Sequence, residues 1–228
     1  MPFMAERILI LGGTREAADL AARLIAEGHD VTTSLAGRTK EPRPVAGNVR
    51  VGGFGGAEGL SRALSDGGYA RLIDATHPFA VRISRNAASA ASSTGIPLER
   101  IERPEWQPEP GDRWIDVRDL ADAVARIPRG ARVLLALGSQ HIAPFASRTD
   151  VHFVVRMVDR PSEPLPLPSH TLVLGRPSSD PSEEAELLSE RAIDLVVCRN
   201  SGGRGAAAKL AAARTLGLPV LMIRRPQA

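Results

Sequence analysis

Short apolar runs alternate with helix-periodic segments through the first half of the chain. The run RILILGG ends in two glycines, and apolar residues at helical spacing follow it from Ala17 to Ile25. A β-branched run at 30–37 completes a strand–helix–strand unit of the size that parallel crossovers require. Further strands are predicted at 49–51, 72–75 and 98–101, and further helices at about 57–66 and 80–94. This alternation predicts an α/β layer with a parallel sheet.

The alternation resumes after a proline-rich connector at 104–114, PEWQPEPGDRW. In the second half, strands are predicted at 133–137, 153–157, 172–174, 195–198 and 220–223, and helices at about 119–126, 182–191 and 205–216. The segment GIPLERIERP at 95–104 also aligns without a gap on GLPVLMIRRP at 217–226, through duplication, convergent packing or coincidence. We therefore predict two Rossmann-like three-layer α/β domains with largely parallel sheets, at 1–104 and 105–228.

Composition narrows the class of protein. The 228 residues are 43% hydrophobic and 24% charged, as in a globular protein, and only 4% are aromatic, too few for a platform that stacks nucleic-acid bases. No apolar run is long enough to span a membrane and none resembles a signal peptide, so we expect a cytoplasmic protein. The net charge is +3 and nearly all cations are arginines, which suit an anionic ligand or simply a solvated surface.

The spacing of cysteine and histidine predicts neither a disulfide framework nor a metal site. Cys198 is the single cysteine and ends an apolar strand, where packing is expected rather than nucleophilic catalysis. The five histidines are scattered along the chain, and no Cys/His spacing fits zinc.

The segment LGGTREA follows the first strand, at the edge where parallel sheets bind ligands. Glycines there let a phosphate approach the backbone, and the N–H groups of the next helix complete an anion site. The dinucleotide fingerprint is imperfect, because Thr14 and Ala17 replace its second and third glycines. The segment therefore indicates either nucleotide binding or a turn that needs glycine only for its geometry.

The end of the second strand favours NADP over NAD. An NAD-binding unit carries an acid there for the ribose hydroxyls, whereas an arginine suits the extra phosphate of NADP. This strand ends TSLAGRT, with no acid and with Arg38 available, unless Arg38 simply begins the polar loop that follows. The glycine cluster around Phe54 in VRVGGFGG then indicates either a loop that approaches a flat ligand or a surface turn.

Two further strand ends carry polar side chains. The segment DATHPFA places Asp74, Thr76 and His77 at the ligand edge of the first domain, either to contact a cofactor or substrate or to shape the turn. The segment CRNSGG at 198–203 repeats this arrangement in the second domain. Two such edges facing each other would enclose a cleft between the domains, with a cofactor on one side and an anionic substrate on the other.

These segments resemble the precorrin-6A reductases of cobalamin biosynthesis, including the cobalt-precorrin-6A reductases. The chain carries, in the family's order and over nearly its whole length, LILGGTREA, SLAGRT, VRVGGFGG, DATHPFA, ERPEW, LALGSQHIAPF, NSGG with AKLAAAR, and LPVLMIRRP. One departure is Arg199, where members often carry lysine before NSGG; the charge is kept but the geometry differs. The resemblance implies an NADPH-dependent oxidoreductase that delivers a hydride to a ring double bond of precorrin-6A, yielding precorrin-6B.

The resemblance also implies a role for each motif. The residues implied to hold the coenzyme are Gly12, Gly13, Thr14 and Arg15 at the pyrophosphate, Ser34 and Arg38 at the 2′-phosphate, and Thr76, His77 and Pro78 near the nicotinamide ribose. His77 is also the implied proton donor, because an imidazole titrates near neutral pH. The residues implied to face the substrate are Phe79, Gly138, Ser139, Asn200, Ser201, Gly202, Gly203 and Lys209.

The implied partner is an anionic tetrapyrrole. We expect a monomer that hands its product to other corrin-pathway enzymes and binds neither nucleic acid nor membrane. Two other functions are open. An NADP-dependent reductase or epimerase of another small substrate would keep the glycine turn and Arg38, whereas a non-catalytic dinucleotide sensor would bind the coenzyme without turnover. Whether the substrate carries cobalt is not encoded in any motif.

Overall fold

The computed structural model describes residues 4–37, 44–203 and 206–226. The chain divides into two compact units, one that ends at Arg103 and one that begins at Pro104. We refer to them as unit 1 and unit 2.

Unit 1 is built on a five-stranded sheet in the order β3-β2-β1-β4-β5, and every strand pair in it is parallel. Its elements are β1 (Arg7–Leu11), α1 (Arg15–Ala26), β2 (Asp30–Leu35), β3 (Asn48–Val51), α2 (Ala57–Asp66), β4 (Arg71–Asp74), α3 (Val81–Thr94) and β5 (Leu98–Arg100). This is the strand order of a nucleotide-binding Rossmann unit.

Helices cover both faces of this sheet. Ile8 and Ile10 of β1 pack against the apolar face of α1, whereas Leu9 and Leu11 pack against α2 and α3. A parallel strand that is buried on both faces appears in the sequence as a continuous apolar run, which is why RILIL predicted β1. The result is the three-layer arrangement expected from the sequence.

Unit 2 is built on a six-stranded sheet in the order β6-β11-β10-β7-β8-β9, again with every pair parallel. Its elements are β6 (Arg113–Val117), α4 (Leu120–Arg126), β7 (Arg132–Ala136), β8 (His152–Met157), β9 (His170–Leu174), α5 (Pro181–Glu190), β10 (Leu195–Arg199), α6 (Ala208–Thr215) and β11 (Pro219–Ile223). Two short 3-10 helices, Ser139–His141 and Ala143–Ser147, follow β7. The predicted fold class, two Rossmann-like α/β layers with parallel sheets, is confirmed.

One strand was missed. The predicted connector at 104–114 overlaps β6, which pairs in parallel with β11 at the edge of the sheet. Three of the five residues of β6 are exposed, and Ile115 among them is 40% exposed. An edge strand of this kind lacks the continuous apolar run by which the central strands were found.

Both sheets have a point at which the strand order reverses. In unit 1, β1 lies between β2 and β4, and in unit 2, β7 lies between β8 and β10. Ligands of open α/β sheets bind beyond the carboxyl ends of the strands at such a switch point. The residues that follow β1 and β4, and those that follow β7 and β10, are therefore the places to look for a site.

Candidate functional site

Most of the residues predicted to bind ligands follow the strands that flank the two switch points. We call Gly12–Arg15 with Asp74–Phe79 the first strand-end cluster, which lies in unit 1. Gly138–Ser139 with Arg199–Gly203 form the second strand-end cluster, which lies in unit 2.

The two glycines of the first cluster serve different purposes. Gly12 donates its N–H to the carbonyl of Ser34, and a Cβ at Gly12 would lie 2.6 Å from Cγ2 of Thr33, so glycine is needed there for packing. Gly13 has a φ of +101°, and no described atom beyond its chain neighbours lies within 4 Å of where its Cβ would be. Gly13 therefore needs glycine for its backbone conformation and leaves open space in front of it.

Thr14 joins the two segments of the first cluster. Its Oγ1 accepts a hydrogen bond from the N–H of Ala17 (3.1 Å) and donates one to the carbonyl of Ala75 (2.8 Å). The first bond caps helix α1, which begins at Arg15, and the second ties the end of β1 to the end of β4. Threonine at the second fingerprint position thus has a structural purpose that a glycine could not meet.

Asp74 shapes the turn that follows β4. Its side chain is only 3% exposed, and its Oδ1 accepts hydrogen bonds from the N–H and the Oγ1 of Thr76, at 3.1 and 2.6 Å. An acid and a hydroxyl two residues apart therefore form a closed turn, which is the structural alternative for Asp74. Contact of Thr76 with a ligand stays a prediction.

The imidazole of His77 is oriented by the chain that follows it. Its Nδ1 accepts a hydrogen bond from the N–H of Phe79 (3.2 Å), and the two rings lie 5.7 Å apart, with Pro78 between them in the sequence. An Nδ1 that accepts cannot carry a proton, so the neutral ring carries its proton on Nε2. His77 is half-buried, and its role as a proton donor stays a prediction.

The residues predicted for the 2′-phosphate are only partly described. Ser34 is the last residue but one of β2 and is 7% exposed, whereas Arg38 lies outside the described residues. Arg50, which the sequence did not single out, is paired with Ser34 in the β2–β3 register. Its guanidinium lies 3.9 Å from the ring centroid of Phe54 and donates to the carbonyls of Gly52 and Gly53, at 2.6 and 2.9 Å. The glycine cluster is thus organised around an arginine–aromatic pair.

Asn200 in the second cluster binds the backbone of Trp106. Its Oδ1 accepts from the N–H of Trp106 (2.9 Å), and its Nδ2 donates to the carbonyl of the same residue (3.0 Å). Asn200 is 8% exposed. A side-chain amide can donate two hydrogen bonds and accept two, so contact with a substrate also stays a prediction.

Gly202 and Gly203 of the second cluster contact other segments of the chain. Gly202 has a φ of +64°, and a Cβ there would overlap the carbonyl oxygen of Pro104 and lie 2.6 Å from Nη2 of Arg225. Gly203 has a φ of +75°, and its carbonyl accepts from the indole N–H of Trp106 at 2.9 Å. Ser201 donates its N–H to the carbonyl of Arg199 at 2.7 Å, which closes the turn.

Lys209 is buried rather than displayed. It is 4% exposed, its Nζ donates to the carbonyl of Ala206 (2.6 Å), and it lies 4.7 Å from the ring centroid of Trp106. Burial lowers the pKa of the Lys209 ammonium, and the neighbouring Glu184 opposes the shift. Its predicted contact with a substrate is not tested by this arrangement.

The other half of the second cluster approaches Arg199. Gly138 and Ser139 lead into the 3-10 helix that carries His141, whose Nε2 lies 2.9 Å from Nη1 of Arg199. A guanidinium can only donate, so Nε2 of His141 is the acceptor and the neutral ring carries its proton on Nδ1. No sequence pattern indicated this pair, because the two residues are 58 positions apart.

Comparison with known proteins identifies the family of the chain. The sequence model of the family described as precorrin-6x reductase CbiJ/CobK matches residues 7–228. The chain belongs to this family. It is 49% identical to the precorrin-6A reductase of Rhodococcus erythropolis, over 96% of this chain and 89% of that protein. It is 30% identical to the cobalt-precorrin-6A reductase of Priestia megaterium, over 96% of this chain and 91% of that protein.

A solved structure has the same fold throughout. The structure described as CobK precorrin-6A reductase is 46% identical in sequence, with a TM-score of 0.95 over 99% of this chain and 90% of that one. The predicted family and the prediction of an oxidoreductase are thereby confirmed. Membership in this reductase family, with a Rossmann-like fold, also indicates a nicotinamide coenzyme.

The sequence departs from the family resemblance at Arg199, where the resemblance implies lysine. In the structure, the Arg199 guanidinium donates to His141. The planar guanidinium of arginine carries several N–H donors, so it can donate to an imidazole and to an anion at once, whereas the ammonium of lysine is a compact point charge. The exchange therefore changes the geometry of the positive charge beside the second cluster.

Cys198 lies in the core of unit 2, where a thiol packs as an apolar side chain. Burial raises the pKa of the Cys198 thiol, whose Sγ lies 3.8 Å from Sδ of Met222, in keeping with the predicted packing role. Residues 4–37, 44–203 and 206–226 contain no cluster of His, Cys, Asp and Glu suited to a metal ion. None of the helices found among those residues has the length and apolar character needed to cross a membrane.

Proposed function

We propose that this chain catalyses the NADPH-dependent reduction of precorrin-6A to precorrin-6B, as a cytoplasmic monomer. The proposal rests above all on the open backbone at Gly13, which precedes helix α1 at the switch point of a Rossmann-ordered sheet, in a member of the precorrin-6x reductase family. An open glycine before a helix N-terminus is the arrangement that receives a coenzyme pyrophosphate.

The residues of unit 1 fit a dinucleotide. Gly12, Gly13, Thr14 and Arg15 would hold the pyrophosphate, since Gly13 leaves space and Thr14 fixes the first turn of α1. A carboxylate there would repel a phosphate, and Asp74 is directed instead to Thr76. NADPH, when bound, supplies the hydride.

The 2′-phosphate would contact Ser34, within β2, and Arg38, which follows this strand in the sequence. Thr76 and Pro78 would border the nicotinamide ribose, after the end of β4. His77 would present its Nε2–H to the substrate, because the N–H of Phe79 holds the ring by Nδ1. To act as the proton donor, the ring would first gain a second proton on Nδ1 and release the hydrogen bond from Phe79, so that loss of the Nε2 proton leaves a neutral imidazole. This assignment makes unit 1 the coenzyme domain.

Unit 2 would receive the anionic macrocycle, which it could later hand over to other enzymes of the corrin pathway. The residues assigned to the substrate are Phe79 of unit 1 and Gly138, Ser139, Asn200, Ser201, Gly202, Gly203 and Lys209 of unit 2. Arg199 supports this assignment because it places a fixed guanidinium beside the turn, which suits acetate and propionate carboxylates.

The test is an NADPH-oxidation assay with metal-free and with cobalt-loaded precorrin-6A. We expect turnover with one or both substrates, and a preference for one assigns the chain to the aerobic or the anaerobic route. NADPH binding without consumption of either substrate contradicts the proposal. It would favour a dinucleotide sensor or a reductase of another small molecule.

Coenzyme choice is tested by the variant Arg38→Asp. Replacing a charge-assisted hydrogen bond by repulsion should weaken NADPH binding by about 1–3 kcal/mol while NADH binding is little changed. Arg23→Asp, on the exposed surface of α1, serves as the matched control for net charge. Equal NADPH affinities of the parent and the Arg38 variant would remove Arg38 from the site.

A further inference from the structure

Trp106 is bound to the second strand-end cluster at three points. Its N–H and carbonyl pair with the amide of Asn200, at 2.9 and 3.0 Å, and its indole N–H donates to the carbonyl of Gly203 at 2.9 Å. Nearly a hundred residues separate the partners along the chain. We call these three hydrogen bonds the Trp106 clasp.

The turn held by the clasp has little rigidity of its own. Gly202 and Gly203 both have positive φ, at +64° and +75°, and glycine has more conformational freedom than any other residue. The N–H and the Oγ of Ser201 both donate to the carbonyl of Arg199, and Arg225 donates to the carbonyl of Ser201 at 3.4 Å. The carbonyl of Gly203, at the far end of the turn, accepts from the indole of Trp106, which orients the Gly203 peptide.

Further contacts support Trp106 and its partner Asn200. Lys209 lies 4.7 Å from the ring centroid, where a buried cation and an aromatic face attract each other. Arg225 donates from Nε to the carbonyl of Asn200 (3.0 Å) and lies 3.6 Å from the carboxylate of Glu105. Trp106 is thus held by several neighbours, and it donates a hydrogen bond to a turn whose glycines are conformationally free by themselves.

We propose that Trp106 is a positioning residue for the reaction: its indole N–H sets the geometry of the Ser201–Gly203 turn that receives the substrate. This inference rests on the proposed function, which assigns that turn to the macrocycle. A displacement of about 1 Å in a group that positions a substrate can cost about a hundredfold in rate. Trp106 touches neither reactant in this role and acts through Gly203.

The chain contains its own control for this idea. It has two tryptophans, both partly buried against the same apolar core of unit 2. The indole N–H of Trp114 is buried without a hydrogen-bond partner among the described residues, whereas that of Trp106 donates to Gly203. Exchange of each for phenylalanine removes one indole, but only the exchange at Trp106 removes a bond to the turn.

The experiment compares Trp106→Phe, Trp114→Phe and the parent with precorrin-6A and NADPH, well below the melting temperature of each. We expect Trp106→Phe to lower kcat/KM for the tetrapyrrole about 10- to 100-fold, to raise its KM at least about threefold, and to leave the KM for NADPH unchanged. Trp114→Phe should match the parent. A loss of folded protein alone would lower kcat and leave both KM values where they were.

Two further measurements keep the inference open to refutation. Hydrogen exchange of peptides that cover 199–203 should be faster in Trp106→Phe than in Trp114→Phe. If Trp106→Phe does not fold, 3-benzothienylalanine at position 106, which replaces the N–H by sulfur and keeps the ring shape, should give the same rise in tetrapyrrole KM.

Equal kinetics of the two phenylalanine variants, or a sulfur analogue with the parent's KM, would overturn the role of Trp106 while the parent remains an active reductase. A parent that consumes no NADPH with either form of precorrin-6A would instead overturn the proposed function.

Discussion

The two strand-end clusters have similar sequences, each with paired glycines beside polar residues, but Gly13 of the first and Gly202 of the second have opposite surroundings. In the first cluster, Gly13 is open and its neighbours Thr14 and Asp74 bond within the cluster itself. In the second cluster, Gly202 is pressed against Pro104 and Asn200 binds Trp106. The first cluster is thus self-supporting and leaves room for a ligand, whereas the second depends on a segment from elsewhere in its unit.

The largest effect that this contrast predicts is at Gly202. Gly202→Ala introduces a Cβ that overlaps the Pro104 carbonyl at a φ that disfavours L-residues, so we expect it to destabilise the protein by about 2–4 kcal/mol. The measurement is the free energy of unfolding in urea. Gly138→Ala is the control, because φ is −70° there and the nearest atom lies 3.9 Å away; it should stabilise by about 0.5 kcal/mol. Equal stability of the two variants would contradict the contrast.

The next effect is at Asn200. Asn200→Ala leaves the N–H and carbonyl of Trp106 without their partners, which should cost about 1–3 kcal/mol of unfolding free energy. Asn48→Ala removes a single exposed hydrogen bond to Asp30 and should change stability by less than about 0.5 kcal/mol. Thermal or urea unfolding of both variants measures the difference. If Asn200→Ala is as mild as Asn48→Ala, the second cluster does not depend on Trp106.

A smaller effect is expected in the first cluster. Thr14→Val keeps the shape of the side chain but removes the cap of α1 and the bond to Ala75, at a cost of about 1–2 kcal/mol. Thr14→Ser retains the hydroxyl and should recover most of that stability. The comparison is made by urea unfolding in the absence of coenzyme. A serine variant as unstable as the valine variant would show that the hydroxyl is not what joins the two strand ends.

The smallest effect lies away from both clusters, at Asp122 on α4. Hydrogen bonds from the N–H of Arg118 and the guanidinium of Arg126 lower the pKa of Asp122 to about 2. Because the folded-state pKa lies below the unfolded one, the carboxylate stabilises the fold above about pH 4, and this contribution is lost as the pH falls through about 2. Asp122→Asn should therefore lower the urea midpoint slightly at pH 7 and progressively less between pH 4 and pH 2.

Asp19→Asn is the control for this pH dependence. Asp19 lies 3.9 Å from Arg15 and its side chain is 74% exposed. Its replacement should therefore leave the urea midpoint unchanged at pH 7 and between pH 4 and pH 2. A gap between the Asp122 variant and the parent that stays constant with pH would refute the electrostatic explanation.

Much of the fold could be predicted because it is encoded in local patterns. The central strands are buried on both faces and so appear as apolar runs, and the helices between them carry one apolar face. The strand β6 was missed because it lies at an edge and is partly exposed, and its first residues, Arg113 and Trp114, fall within the segment taken as a connector. Motif resemblance led to the family, which the comparisons confirmed.

The candidate site was predictable in place but not in detail. Parallel strands end at the same edge, so the residues after β1, β4 and β10 were expected at the ligand edges of the two sheets, whereas Gly138 and Ser139 after β7 were indicated only by the family resemblance. Nothing in the local pattern indicated that Arg50 covers Phe54 or that Arg199 meets His141. These pairs depend on how strands and loops pack, and no local sequence pattern links the two residues of either pair.

The sequence by itself determined the alternation of strands and helices, the reductase family and the positions of the paired glycines. Only the tertiary structure decided what each glycine is for: Gly13 faces open space, whereas Gly202 faces the Pro104 carbonyl. The physical reason is that periodicity records which residues are buried, and burial depends on neighbours along a single helix or strand. Close approach and hydrogen bonding instead join residues such as Trp106 and Asn200, 94 positions apart, whose proximity exists only once the chain has folded.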